Sequence, residues 1–404
     1  MKVAYFSPLP PERTGISEYS ELLLPALRRR IGVEVVSRGR TSPSNADVCL
    51  YHVGNNPDAH GWIVEALRRR AGVVVLHDFV LHHLVAGLTL GRRDGPGYLG
   101  AMQREAGVAG RLLAHGVLDG IVPPLWEVRP EDFPLAGEVL EHAAKPGGGL
   151  IVHSRYVAER AVAAGYDGRL WRIPHPAWPD PGVPAEEVAG EPVVGCFGNI
   201  NASKRIPQLL DAFAALRAAH PDAKLLLVGA DLDARLSQLP DGVERVDYVD
   251  ERRLWALMGA CDVCVSLRAP TMGETSGSAI RALVLGKPLV VSDVGWFAEL
   301  PDEVALKVPV DAHEAETLGA ALELLASNDR ARTAMGDAAR AYVAAEQDLD
   351  RSAEAYVAAL EEAAGGEAVK DAVVGEVAEA AAEVGIAEEA AEIARLLNEV
   401  RLGG

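Results

Sequence analysis

The sequence predicts an α/β protein made of two doubly wound parallel domains with helices added at the C-terminal end. Three observations predict it. Strand-like and helix-like stretches alternate through both halves of the chain, the pattern of βαβ units. Between the halves lies PHPAWPDPGVPAEEVAGEP, whose Pro and Gly content favours an extended linker over a packed element. The chain has 404 residues, 49% of them hydrophobic, which is too long for one ordinary core and suits two α/β domains with additions.

In the first half, Lys2 to Ser7 reads as a strand. A Pro-rich loop follows, then Gly15 and a helix from about Ser17. A strand, a tight glycine turn and a helix start together offer backbone amides to a phosphate. Val33 to Val36 and Val48 to His52 are further strands, with a helix near Trp62 to Arg69. Val73 to Leu76 is a β-branched strand that delivers His77 and Asp78 at its C-terminal end. In an open parallel sheet that end is where ligands bind. His82 and His83 fall on a helix without the Glu that metalloprotease spacing requires. Residues from Gly87 to Lys145 are helical and less regular, an insert before the strands at Leu150 to His153 and Leu170 to Pro174.

The second half starts afresh with a strand at Pro192 to Phe197. The polar loop Gly198 to Arg205 carries Asn199, Lys204 and Arg205. A helix over Pro207 to Ala219 has helical apolar spacing at Leu209, Leu210, Phe213 and Leu216. Strands are predicted at Lys224 to Val228, Val243 to Val249, Asp262 to Leu267, Leu289 to Val291 and Leu306 to Val308, with a helix at Leu254 to Met258. Ala312 to Glu362 reads as at least two helices broken near Asn328 and Asp329. Beyond Gly365 and Gly366 the Ala- and Glu-rich tail has a narrow apolar stripe at Ile386, Ala390, Ile393, Leu397 and Val400, suited to the chain's own surface or to a second subunit.

The most informative stretch is TMGETSGSAIRALVLGKPLVV, Thr271 to Val291. An acid, Glu274, precedes the small polar residues Ser276, Gly277 and Ser278. An apolar helix, a Gly stop and a strand follow. The first-turn amides of such a helix have no intrahelical acceptor, and little side-chain bulk guards them. An anion can approach closely, and the helix dipole favours it.

Composition narrows the partners. A net charge of −19 argues against general nucleic-acid binding, which needs a basic face. The basic runs Arg28 to Arg30 and Arg68 to Arg70 end helices, where cations are favourable; contact with an anionic membrane is the alternative. No apolar run is long enough to span a bilayer, and MKVAYFSPLPP has no signal-peptide core. Cys49, Cys196, Cys261 and Cys264 suit a reducing cytoplasm. The Cys261 and Cys264 pair lies in an apolar strand pattern with no second pair to complete a metal site, so no metal is expected.

PLPPERTGISEYS, YHVGNN, VVVLHDFVLHHL, IVHS, RIPHP, GCFGNINASKR, LLLVG and TMGETSGSAIRALVLGKPLVVSDVGWFAELP together make the chain resemble retaining GT-B glycosyltransferases of the family 4 type, the group 1 glycosyl transferases. The resemblance covers Met1 to Glu362. It implies two Rossmann-like domains facing across a cleft: an acceptor domain at 1–178 and a nucleotide-sugar domain at 190–330. Helices at 331–364 would pack back toward the first domain, and 366–404 would be an acidic helical tail. It implies transfer of a hexose from a UDP- or GDP-sugar to a glycan, glycolipid or other glycoside, without metal or other cofactor. Gly15 would lie against the diphosphate or the acceptor, and His77 beside the transferred sugar. Lys204 would meet the diphosphate, Glu274 the hexose hydroxyls, and Ser276, Gly277 and Ser278 the diphosphate. A cytoplasmic enzyme of polysaccharide biosynthesis, peripheral at the inner membrane face, is the matching expectation.

The chain departs from that family at the second of two glutamates eight positions apart, which holds the ribose. Counting eight on from Glu274 gives Ala282, and counting back from Gly286 points to Arg281. Asn199 stands where many members have an arginine, and Arg205 or Arg268 would supply the missing charge. Two other functions compete. One is a nucleotide-sugar epimerase or phosphorylase on the same fold. The other is a non-catalytic nucleotide-binding subunit that recruits a partner through its tail.

Overall fold

The computed structural model describes residues 1–40, 45–231 and 238–365. The expected tail, 366–404, lies outside the described residues. The chain divides into two compact units. The first comprises Met1–Val152, Ala158–Ile173 and the described residues from Ala353; the second comprises His153–Val157 and Pro174–Ser352.

The N-terminal half runs β1 (Lys2–Phe6), α1 (Gly15–Arg28), β2 (Gly32–Val35), β3 (Val48–Val53), α2 (Pro57–Arg69) and β4 (Val73–Leu76). The insert follows as α3 (His82–Thr89), α4 (Gly95–Leu118), α5 (Leu125–Val128) and α6 (Gly137–Ala143). Then come β5 (Gly149–Val152), α7 (Arg155–Ala163) and β6 (Leu170–Arg172). The six strands are parallel in the order β2-β1-β3-β4-β5-β6. β3, β4 and β5 are buried along their whole length, as strands covered on both faces must be. Thr14 starts α1 by accepting a hydrogen bond from Ser17 N at 3.0 Å, and Asn56 starts α2 by accepting from Asp58 N and Ala59 N. The insert has a small core of its own around Tyr98, Met102, Ala114 and Leu125.

The second sheet is built from β7 (Val193–Phe197), α8 (Ile206–Ala219), β8 (Lys224–Val228), β9 (Val243–Val246), α9 (Glu251–Gly259), β10 (Val263–Ser266), α10 (Gly277–Val284), β11 (Leu289–Ser292) and β12 (Ala305–Val308). α11 (Glu314–Ser327) and α12 (Asp329–Glu346) follow. Its order is β12-β11-β10-β7-β8-β9, again all parallel. Leu209, Phe213 and Leu216 of α8 lie in one buried cluster with Leu225, Leu227 and Val265 of the sheet. Burying each such side chain contributes about 1.5–3 kcal/mol.

The proline-rich stretch has no regular secondary structure, yet it is not a free linker. Ala177 and Trp178 are buried, and Ala177 N donates to Gln347 O at 2.8 Å. Glu186 N donates to Ala256 O at 3.0 Å, so the stretch lies along the second unit. Residues 349–365 form another helix, separated from α12 by Gln347 and Asp348. Among the described residues no helix is long and apolar enough to cross a membrane.

Candidate functional site

In the second unit the strand order reverses between β7 and β10, and loops leaving such a switch point open a crevice at the carboxyl ends of the strands. The β7 loop carries Lys204 and the β10 loop carries Arg268. Ala269 N donates to Ser203 O at 2.8 Å, which fastens one loop to the other.

Lys204 is 4% exposed, and its Nζ donates to Phe197 O at the end of β7. Burial pushes its pKa down to about 8, from the usual 10.5, and Arg268 pushes the same way while Cys196 and Glu274 oppose. Gly198 makes this placement possible. Its φ is +94°, and a Cβ there would stand 2.9 Å from Lys204 Nζ and 3.9 Å from Ser278 Oγ. The lysine and the serine of the TMGETSGS stretch therefore converge on one glycine.

Arg268 and Glu274 form an ion pair, Nε to Oε1 at 2.6 Å. The other carboxylate oxygen accepts from Met272 N at 2.7 Å and from Thr271 Oγ1 at 3.1 Å. The loop thus holds the carboxylate in a fixed direction, and by acceptor count Oε1 retains one lone pair. Ser276 caps α10, its Oγ accepting from Ala279 N at 3.3 Å and lying 3.1 Å from Ser278 Oγ. Gly277 begins the helix, and a Cβ on it would come 3.1 Å from the Trp178 ring. Lys204, Arg268 and Glu274 together leave one net positive charge beside the positive end of α10.

Arg205 and Asn199 are the other expected residues of the β7 loop. Arg205 pairs with the buried Glu314, Nε to Oε1 at 2.7 Å. Asn199 is exposed. Trp178 and Arg281 lie beside the start of α10 without having been expected there. The Arg281 guanidinium stacks on the Trp178 ring at 3.6 Å, and its Nη2 is 3.5 Å from Glu251. Only the Trp in an otherwise Pro-rich stretch hinted at a packed role.

In the first unit, β3 and β4 are neighbours, and His77 directly follows β4. His77 Nε2 is 3.0 Å from His52 Nδ1, and the Tyr19 ring meets the His77 ring edge-on at 4.8 Å. Asp78 accepts from Asn55 N at 2.8 Å, tying the β4 end to the β3 end. Gly15 opens α1, and a side chain there would meet no protein atom within 4 Å. Among the described residues no packing contact accounts for that glycine.

Other candidate features have partners within their own units. His82 is buried, bonded to Tyr98 Oη at 2.9 Å, with its pKa pushed down to about 4 by burial. Cys261 and Cys264 are buried, and Cys261 Sγ donates to Leu257 O. Arg30 pairs with Glu354 and Arg68 with Glu138. The insert has a cavity of about 640 Å³, lined mainly by Leu90, Val117, Leu118, Val122 and Trp126, with Arg93 as its cation.

Residues 191–328 match the family model described as glycosyl transferases group 1. The two parallel sheets superpose on solved GT-B glycosyltransferases. Sucrose-phosphate synthase (tll1590) from Thermosynechococcus elongatus aligns with a TM-score of 0.59 at 20% identity, over 90% of this chain and 98% of that one. Anabaena Alr3699/HepE, in complex with UDP-glucose, gives 0.58 at 17% identity over 90% and 100%. WaaG, a glycosyltransferase involved in lipopolysaccharide biosynthesis, gives 0.55 at 15% over 89% and 99%. At these identities the likeness establishes the fold. A comparison with curated protein sequences finds no match. The chain therefore has the GT-B fold, and residues 191–328 of its second unit resemble the group 1 glycosyl transferases.

Proposed function

We propose that this transferase moves a hexose from a UDP- or GDP-sugar to a glycan or glycolipid acceptor with retention at the anomeric carbon. One observation carries the reading: a buried lysine ammonium and a serine hydroxyl at the start of α10 both lie within 4 Å of the Cβ position of Gly198. A diphosphate has the charge and the acceptor atoms that such a group of donors suits.

Breaking the sugar–phosphate bond leaves negative charge on the nucleoside diphosphate. Lys204, the first-turn amides of α10 and the hydroxyls of Ser276 and Ser278 would stabilise that charge as it develops, without requiring a metal. Glu274, fixed by Arg268 and its own loop, would hold the hexose hydroxyls through its remaining lone pair. His77 would stand at the sugar and Gly15 against the diphosphate or the acceptor, the roles the family resemblance implies. In a same-face substitution the departing phosphate oxygen takes the acceptor's proton, so no separate base is needed. The open space at Gly15 supports close approach of a substrate there. The apolar cavity of the insert supports an amphipathic acceptor such as a glycolipid.

Four buried cysteines in the thiol form support a reducing, cytoplasmic setting, with peripheral contact at the inner membrane face where the acceptor is a lipid. The test is turnover of UDP- and GDP-hexoses with and without a panel of glycosides, in buffer with and without a chelator. The reading expects slow donor hydrolysis alone, faster diphosphate release with an acceptor, and an α-donor giving an α-product. Inversion, or conversion of the donor to an epimer, would overturn it.

A further inference from the structure

His77 does not stand alone. His52 lies in β3, where its register partner is Val75 of β4, two residues before His77. The backbone locks the neighbourhood, since His77 N donates to Val53 O at 2.9 Å. The rings stack at 27° with centroids 5.3 Å apart, and His52 Nδ1 lies 3.0 Å from His77 Nε2. A hydrogen bond between two imidazole nitrogens needs one N–H and one lone pair. The proton on one ring therefore dictates the tautomer of the other.

The surroundings hold this pair in one arrangement. Tyr5 lies against His52 with centroids 4.6 Å apart. Tyr19 abuts both imidazoles, and its hydroxyl is 2.7 Å from that of Tyr356 on the helix of residues 349–365. His60 Nδ1 donates to His52 O at 3.1 Å, and burial keeps His60 neutral. His52 is 0% exposed and His77 is 9% exposed, so only His77 can meet a substrate.

We propose that His52 is a positioning residue for His77: it fixes the rotamer and the tautomer of the imidazole that the functional reading puts at the sugar. The proposal rests on that reading for the role of His77, but the hydrogen bond it requires can be read without any turnover.

The test uses the full chain labelled with ¹⁵N-histidine. The wild type should show a through-hydrogen-bond nitrogen–nitrogen coupling between His52 Nδ1 and His77 Nε2, lost in His52→Leu. In the transfer assay His52→Leu should lose about 10–100-fold in kcat, the usual cost of removing a group that orients a site residue, while the donor KM changes less than about threefold. His52→Asn, whose amide reaches the Nδ1 position, should recover most of that loss. A merely structural histidine would lower the melting temperature in both variants and leave their kcat values alike. Absence of the coupling in the wild type overturns the proposal. So does a folded His52→Leu variant with wild-type kcat when His77→Ala is inactive; the functional reading then survives alone. A wild type that shows the coupling but transfers no sugar overturns the functional reading, and the positioning role with it.

Discussion

Lys204 sits where water cannot fully solvate its ammonium, and this sets its behaviour with pH. Below about pH 8 the buried ammonium is charged in the free protein. A bound diphosphate favours the charged form and so raises the pKa in the complex. Above pH 8 the free protein has lost the proton and binding must restore it. UDP affinity should therefore fall as pH rises through 8 toward the higher pKa of the complex, with proton uptake visible when calorimetry is run in buffers of different ionisation enthalpy. An affinity independent of pH from 7 to 9.5 would remove Lys204 from the diphosphate site. Glu274 has a separable role. Glu274→Gln should lower kcat by about 10–150-fold, the worth of about 1.5–3 kcal/mol in hydrogen bonds to a charged group. UDP affinity should change little, and equal losses in the two quantities would contradict the assignment. Lys204, Glu274 and the serines stood out in the sequence because each lies in or beside a short polar loop between recognisable elements, and the structure puts Lys204 and Ser278 on either side of Gly198. The pairing of Arg205 with Glu314 and the stacking of Arg281 on Trp178 were not, because the partners lie far apart in the chain.

The loop after β7 shows how an element places a side chain. Gly198 takes a left-handed φ and leaves room for Lys204 Nζ. Gly198→Ala should cost about 1–2 kcal/mol of stability from the strained backbone alone. It should also displace the ammonium, weakening UDP binding more than stability predicts; a denaturation midpoint and a Kd measured on one sample check this. Ser276 caps α10, and Ser276→Ala should cost about 1 kcal/mol. The twelve strands of the described residues were legible as short apolar runs between polar, Gly- or Pro-containing stretches. The predicted end of β9 was too late: Asp247 and Tyr248 are exposed and lie beyond the strand, which ends at Val246, so apolar character at Val249 does not extend it. The break at Gln347 and Asp348 was missed because neither residue is a helix stop; Asp348 instead accepts from Arg351 N at 2.8 Å and starts the next helix.

At the scale of the molecule, the chain leaves the first unit and returns to it. The helix of residues 349–365 gives Tyr356 to the first unit, and Trp171 Nε1 donates to Glu362 at 2.9 Å. Tyr356→Phe would remove this hydrogen bond from the buried Tyr19 hydroxyl, costing about 0.5–1.5 kcal/mol and lowering the unfolding midpoint of the first unit. UDP affinity, a property of the second unit, should not move. Sequence reasoning saw the linker as a spacer because Pro and Gly are read locally. In the folded chain the same residues supply Trp178 to the neighbourhood of α10, a contact no local pattern encodes.

The central claim is that the second unit grips a diphosphate through Lys204. Calorimetric titration of UDP and GDP into the wild type and Lys204→Ala at pH 7 tests it most directly. The account predicts measurable binding of at least one nucleotide by the wild type, weakened roughly 10- to 150-fold in the variant, the equivalent of about 1.5–3 kcal/mol. Equal dissociation constants for the two proteins, or a wild type that binds neither nucleotide at millimolar concentration, would contradict it.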